Sequence, residues 1–150
     1  VEKNTLDDSI LIDVKNGVGV IRVFDALNDE RNMEVAMKAI KKYGGICEAT
    51  ICYTTSPVHN EEYFVKLAMQ LEKMGADVIC IKDMAGLLKP YDAFQLVKTI
   101  KSSIDIPIQL HTHYTAGLAS MTILKAVEAG VDVLCDGGST NGMKEFKKKK

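Results

Sequence analysis

Tryptophan is absent from the 150 residues, aromatic side chains make up only 6% of them, and there are three prolines and four cysteines. The cysteines, at 47, 52, 80 and 135, are widely spaced, and three of them sit inside apolar runs. Such spacing forms neither a disulfide framework nor a CxxC metal site; it points to a reducing compartment, and the cytoplasm is the expected location. An excess of one charge sign is missing as well. The 19 Lys+Arg and 20 Asp+Glu leave a net charge of -1, so no whole-surface neutralisation of nucleic-acid phosphates is expected. No apolar run reaches the roughly 20 residues that span a bilayer, and Val1-Glu2-Lys3-Asn4 does not open a signal peptide. Neither phosphate-cradling pattern, GxGxxG or GxxxxGK(S/T), occurs anywhere.

What is present is a rhythm. Apolar, β-branched runs fall at Val20-Ile21-Arg22-Val23-Phe24, 46–53, Val78-Ile79-Cys80-Ile81, Ile106-Pro107-Ile108-Gln109-Leu110 and Val131-Asp132-Val133-Leu134-Cys135. Each is near-continuous in hydrophobicity, as expected of parallel strands buried on both faces. Between them lie amphipathic stretches. Asn28 to Tyr43 places Met33, Ala36, Met37 and Ile40 on one stripe, and Glu61 to Met74 places Phe64, Val65, Ala68 and Leu71 on another. Pro90 opens a third helix with Phe94, Val97 and Ile100 inward, and Thr115 to Ala129 forms a fourth with Leu118, Met121, Leu124 and Val127 inward. Three of these stretches stop at glycine, Gly44-Gly45, Gly75 and Gly130, just before the next strand run. Four βα units followed by a fifth strand predict an α/β fold, either a doubly wound sheet or a slice of a (β/α)₈ barrel.

The ends depart from the rhythm. Residues 1–19 hold a weak helical pattern around Asp7 to Lys15, residues 20–135 carry the repeating units, and residues 136–150 have a Gly-rich and then Lys-rich tail composition. Five Lys among the last seven residues read as a solvated tail, with an anionic surface as the alternative.

Chemistry in parallel α/β folds gathers at the carboxyl ends of the strands. Lys82 follows Val78–Ile81 there, either as a functional amine or as a partner for Asp83 or its loop. His111 and His113 end the fourth run as His-Thr-His. Residues i and i+2 of an extended chain share a side, so both imidazoles can reach one cation, or each can be an ordinary hydrogen-bonded histidine. Cys52 stands near the end of its run, where a buried small hydrophobe is the plain reading. His59 caps or solvates a loop, Met84 and Met121 fill the core, and Gly86 permits a tight turn before Pro90.

Four segments then carry a resemblance: Val23-Phe24-Asp25-Ala26-Leu27-Asn28-Asp29, Tyr53-Thr54-Thr55-Ser56-Pro57-Val58-His59, Ile81-Lys82-Asp83-Met84-Ala85-Gly86-Leu87-Leu88-Lys89-Pro90 and His111-Thr112-His113-Tyr114-Thr115. Over about residues 18 to 135 the chain resembles the biotin-dependent carboxyltransferase family, nearest the branch that holds the oxaloacetate decarboxylase alpha and pyruvate carboxylase subunits. The resemblance implies a partial (β/α)₈ TIM barrel, about four βα units plus a fifth strand, with residues 20–135 as its central part. It implies carboxyl transfer between oxaloacetate or pyruvate and carboxybiotin, with a pyruvate enolate stabilised by a divalent metal. Zinc is the first expectation for that metal, with manganese or cobalt as alternatives. The lysine matching Lys82 is carbamylated in the family and ligates the metal with histidines matching His111 and His113; a cysteine matching Cys52 pairs with this lysine in the decarboxylase branch. The implied partners are a biotin carrier domain, other decarboxylase or carboxylase subunits, and further copies of the full-length protein. Aldolase-type acyl transferases such as isopropylmalate synthase share the barrel and the HxH pair, but have Asp-Thr where this chain has Lys82-Asp83. The family's first-strand aspartate ligand, in a motif like Asp-Ala-His-Gln-Ser, has no counterpart here. Neither have the substrate-binding arginine of the second unit and the threonine of the last units. The chain is therefore expected to hold strands three to seven of the barrel. A non-catalytic fragment that acts only in assembly is the reading from a different class.

Overall fold

A computed structural model describes residues 3–136. Its elements follow in strict alternation: α1 (Lys3–Lys15), β1 (Val20–Val23), α2 (Glu30–Lys42), β2 (Ile46–Cys52), α3 (Glu61–Lys73), β3 (Val78–Asp83), α4 (Pro90–Lys101), β4 (Ile108–Thr112), α5 (Ala119–Glu128) and β5 (Val133–Asp136). All five strands are parallel and pair in chain order, β1-β2-β3-β4-β5. A doubly wound sheet would reverse its order at a switch point. Sequential order with crossovers of one hand places every helix on the same face, which is the construction of a barrel wall. No helix among the described residues is long and apolar enough to cross a membrane. Of the tail assigned to residues 136–150, everything after Asp136 lies outside the described residues.

Alternation along the strands decides what each face carries. Ile21, Val23, Cys47, Ala49, Ile51, Ile79, Ile81, Ile108, Leu110 and Leu134 all join the core formed with the helices. The intervening residues, Arg22, Glu48, Thr50, Cys52, Cys80, Lys82, Gln109, His111, Val133 and Cys135, point to the other face. Burial on both faces, expected from the near-continuous runs, is thus accompanied by a sharp chemical division: β2 is buried from Cys47 to Cys52, yet only its odd-numbered residues face hydrocarbon.

The glycine stops work as expected of left-handed caps, with Gly44, Gly75 and Gly130 at φ of 80°, 102° and 97°. A repeated latch follows them. The Asp77 carboxylate accepts the Cys47 N–H at 2.8 Å and the Lys41 ammonium at 2.6 Å. Two units later, Asp132 accepts the Ile108 N–H at 2.8 Å and the ammonium of Lys101. Each aspartate thereby ties the start of its own strand to the start of the preceding one and to the last turn of a helix.

Several boundaries differ from the expectation. The fourth strand starts at Ile108, because Pro107 has no N–H to donate and enters the ladder only through its carbonyl, which accepts from Ile79 at 2.9 Å. The strand consequently extends to Thr112 and takes His111 inside it. Lys82 and Asp83 likewise lie within β3. Asn28 does not begin a helix; it sits at φ 58°, and α2 starts at Glu30 with the Asp29 carboxylate capping Arg31. The fourth helix begins at Ala119, since Gly117 takes a left-handed turn at φ 71°.

The expected inward stripe of α5 is also overturned. Met121, Leu124 and Val127 are exposed, and Ala119, Thr122 and Ala126 are the buried positions. The helix is apolar on both sides, so hydropathy alone does not choose between them. Small residues let α5 approach α4, and the Thr122 hydroxyl donates to the Leu88 carbonyl at 2.8 Å. Met84 is exposed too and fills no core, whereas Met33 and Met37 do.

Candidate functional site at the carboxyl ends of the strands

Register builds the site. Cys52 pairs with Lys82, Lys82 with His111, and His111 with Cys135, so one lateral row runs across β2, β3, β4 and β5 on the face away from the helices. Partners in parallel strands point the same way, and adjacent strands lie about 4.8 Å apart. His113 continues the row beyond the end of β4: its Nε2 lies 3.0 Å from Nε2 of His111, with the two rings edge to face. The structure therefore brings together all four residues singled out from the sequence.

Each is held by its neighbours. The backbone of Cys52 is clamped from both sides by one side chain, with Asn28 Nδ2 donating to its carbonyl at 2.9 Å and Asn28 Oδ1 accepting its N–H at 2.8 Å. Asn28 extends the ladder past the end of β1, and its left-handed backbone is the only non-glycine case among the described residues. Burial pushes the Cys52 thiol above its ordinary pKa, and the nearby Lys82 charge partly counters that. The Lys82 ammonium stands 4.0 Å above the centre of the Phe24 ring. It does not serve Asp83, whose buried carboxylate is occupied elsewhere: it accepts the N–H groups of Leu87 and Leu88 at 2.9 and 3.0 Å and the Thr112 hydroxyl at 3.2 Å. That carboxylate shapes the loop after β3 into a support for the next one. Gly86 turns at φ 68° with its α-carbon so near the following loop that a Cβ would meet Ala116 N at 3.0 Å and the His113 carbonyl at 3.4 Å. The Asp83 carbonyl in turn accepts the His113 N–H at 3.2 Å.

Below this row the same face closes on itself. Arg22 and Glu48 form an ion pair, and Thr50 and Cys80 are register partners with almost no exposure. Burial raises the Cys80 thiol to about 12. In this layer the Glu48 carboxylate is paired with Arg22 and burial keeps the Cys80 thiol protonated, whereas the upper row carries Lys82 and His111.

The histidine pair fits a divalent ion. Two nitrogens each about 2.1 Å from one metal stand roughly 3 to 3.4 Å apart, the spacing the two Nε2 atoms already have. No group of three or more His, Cys, Asp or Glu that could hold a metal occurs among the described residues. Any third donor from the row is therefore Lys82, which qualifies only once it is no longer an ammonium.

Sequence reasoning missed Asn28, Phe24 and Cys135. Asparagine is the non-glycine residue that most readily adopts a left-handed backbone, and that signal was open to reading in Leu27-Asn28-Asp29. Nothing local marks Cys135, whose Sγ lies 3.0 Å from His111 Nδ1; that contact exists only through strand pairing. His59 caps its loop through a 2.7 Å contact with the Ser56 hydroxyl and lies edge-on to Tyr63. With Tyr53, Asn60, Glu61, Phe64, Asp92, Gln95 and Leu96 it lines a cleft of 190 Å³. That cleft opens between α3 and α4, on the helix side of the sheet, apart from the row.

The HMGL-like family profile matches residues 25–145. A pyruvate carboxylase subunit of Methanocaldococcus jannaschii is 56% identical over 120 residues, covering 80% of this chain and 21% of that protein. The methylmalonyl-CoA carboxyltransferase 5S subunit of Propionibacterium freudenreichii is 54% identical over 122 residues, covering 80% of this chain and 24% of that protein. Among solved structures, the carboxyl transferase domain of Rhizobium etli pyruvate carboxylase with pyruvate superposes at a TM-score of 0.89 and 42% identity, over 93% of this chain and 25% of that one. The chain thus spans less than a quarter of the length of the first two relatives. The five strands are a partial barrel of the carboxyl transferase type.

Proposed function

The chain belongs to the HMGL-like family, and on that footing we propose that it forms the metal-bearing wall of a biotin-dependent carboxyltransferase that moves a carboxyl group between oxaloacetate or pyruvate and carboxybiotin. The observation that carries this reading is the single register row Cys52–Lys82–His111 with His113 at its end. His111 and His113 would hold the divalent ion through Nε2, zinc first among the candidates, with a carbamylated Lys82 as the oxygen donor. Bound there, the metal supplies Lewis-acid polarisation of a keto oxygen.

The chain's own residues account for the rest. As an ammonium, Lys82 would repel a cation; as a carbamate it loses its attraction to the Phe24 ring and gains an anionic oxygen. The Cys52 thiol, kept neutral by burial, holds a proton on Sγ beside Lys82, and can return it to the methylene carbon left when the carboxyl group departs. Asn28 keeps that sulfur in the row by fixing its backbone. Asp83 and Gly86 lock the loop that follows Lys82 and β3 against the loop that carries His113. A (β/α)₈ barrel takes eight strands, so the further ligand and the substrate-binding groups belong to strands outside these five. The biotin would arrive on a carrier domain. An acyl transferase of the isopropylmalate synthase kind is disfavoured by Lys82-Asp83 and by what the 54% and 56% identical relatives are named for.

The test is to purify the chain, measure bound zinc, and assay avidin-sensitive oxaloacetate decarboxylation with a biotin carrier. Zinc that stays with the chain and is lost in Lys82→Ala is the expected result, and turnover abolished by Lys82→Ala is expected once the strands that complete the barrel are supplied. Neither metal nor turnover would leave only the assembly reading, and an unaffected Lys82→Ala variant would remove the role given to that lysine.

A further inference from the structure

We infer that Cys135 is a positioning residue for His111, whose sulfur selects the imidazole tautomer that leaves Nε2 as a bare lone pair facing His113. The inference deepens the metal-centre reading above and rests on it for its purpose, though not for its test. A neutral imidazole has one N–H donor and one acceptor nitrogen. A ligating nitrogen must be the acceptor, so the other nitrogen must carry the proton and needs somewhere to put it. In His111 the two nitrogens face different partners. Nε2 meets His113 Nε2 at 3.0 Å, and Nδ1 meets Cys135 Sγ at 3.0 Å. Cys135 is the register partner of His111 on β5 and is only 4% exposed. The sulfur therefore reaches Nδ1 from a paired strand and not from a loop. Lys82 is the register partner on the other side of the ring. Sulfur is a weak acceptor, yet in this part-buried contact even a weak bond favours the proton on the nitrogen that faces it. With Nδ1–H directed at sulfur, Nε2 can accept from His113 when no metal is bound and face an ion when one is.

The arrangement is tested on the metal-free chain by heteronuclear NMR of the histidine ring nitrogens at mildly alkaline pH, where imidazole is neutral. His111 is expected to read as Nδ1-protonated with Nε2 bare. Cys135→Val, which replaces the sulfur with methyl groups and offers no acceptor, is expected to shift His111 toward the Nε2-protonated form; Cys135→Ser is expected to restore the parent state. Finding Nδ1 bare in the parent would overturn the inference, and this measurement needs no variant to fold. An unchanged tautomer in Cys135→Val would overturn it as well. In a parallel zinc titration, Cys135→Val is expected to bind about 10- to 100-fold more weakly than the parent, with Cys135→Ser between the two. Equal zinc affinity in parent and Cys135→Val would overturn the positioning role. A parent that shows the Nδ1–H tautomer yet takes up no zinc would overturn the metal reading and leave the role of Cys135 in place.

Discussion

Along β3 the chain alternates between two environments. Ile79 and Ile81 turn toward the helices with no exposure, while Cys80 and Lys82 turn toward the opposite face. On the helix side the side chains are interchangeable in kind: Ile, Ala, Leu and Val close a single hydrocarbon core against all of α2, α3 and α4. On the other side the partners are specific, from the Arg22–Glu48 pair below to the Cys52–Lys82–His111–Cys135 row above. The contrast teaches that the same strand residues, one apart, answer to different physics. Helix-side residues are selected by volume, and row residues by the group they can present to a neighbour about 4.8 Å away.

Substitution separates the two faces, and the largest effect belongs to the hydrocarbon side. Ile81→Ala should lower unfolding free energy by about 2–5 kcal/mol, read from denaturant midpoints at unchanged slope. Lys82→Ala next to it should change stability by less than about 1 kcal/mol while abolishing metal uptake; a comparable loss from both would erase the distinction. Next comes the clamp at the head of the row. Asn28→Ala leaves the Cys52 N–H and carbonyl unpaired and strains a left-handed backbone, at a cost of about 2–4 kcal/mol. Asn28→Gly should recover about 1 kcal/mol of that through backbone freedom alone. In both variants Cys52 should become more reactive toward a thiol reagent; equal reactivity in parent and variants would show that Asn28 does not hold it.

Alkaline pH divides the faces again. Burial raises Cys47 to about 11 on the helix side and Cys80 to about 12 on the row side, from an ordinary thiol value of 9.0. A raised pKa means the folded state holds protons that the unfolded state has released. The stabilisation is fully present below pH 9 and is lost as pH rises through the folded values. Thermal midpoints should therefore fall between pH 9 and 11 and continue falling toward 12. Cys47→Ala should flatten the earlier part of that decline and Cys80→Ala should flatten both; parallel curves for parent and variants would exclude the thiols as its source. The smallest effect lies outside both faces. Lys38 pairs with Glu34 on the exposed side of α2, and Lys38→Ala should leave the denaturation midpoint within experimental scatter.

Much of this architecture is legible in the order of residues. The succession of strands and helices, the glycine stops and the α2 stripe of Met33, Met37 and Ile40 follow from periodicity and left-handed caps, which are local properties. So does the candidacy of Lys82, His111 and His113, because strand ends in parallel folds are where side chains meet a ligand. The α5 stripe is not legible. Met121, Leu124 and Val127 have the spacing of a buried face, and only the approach of α4 shows that Ala119, Thr122 and Ala126 occupy it instead.

The chain's residues alone thus specify which elements form and which side chains carry reactive groups, since those depend on neighbours within one turn or one strand. Two matters were left to the tertiary structure. One was the pairing of the strands in sequential order with all helices on one face, which turned an α/β alternation into a barrel wall. The other was the register that sets residues 52, 82, 111 and 135 side by side. Both depend on pairings between segments 24 to 30 residues apart, whose energy comes from hydrogen bonds and burial shared by two strands at once. No local window of sequence contains both halves of such a pairing, and for that reason Cys135 became visible as a partner of His111 only in the folded chain.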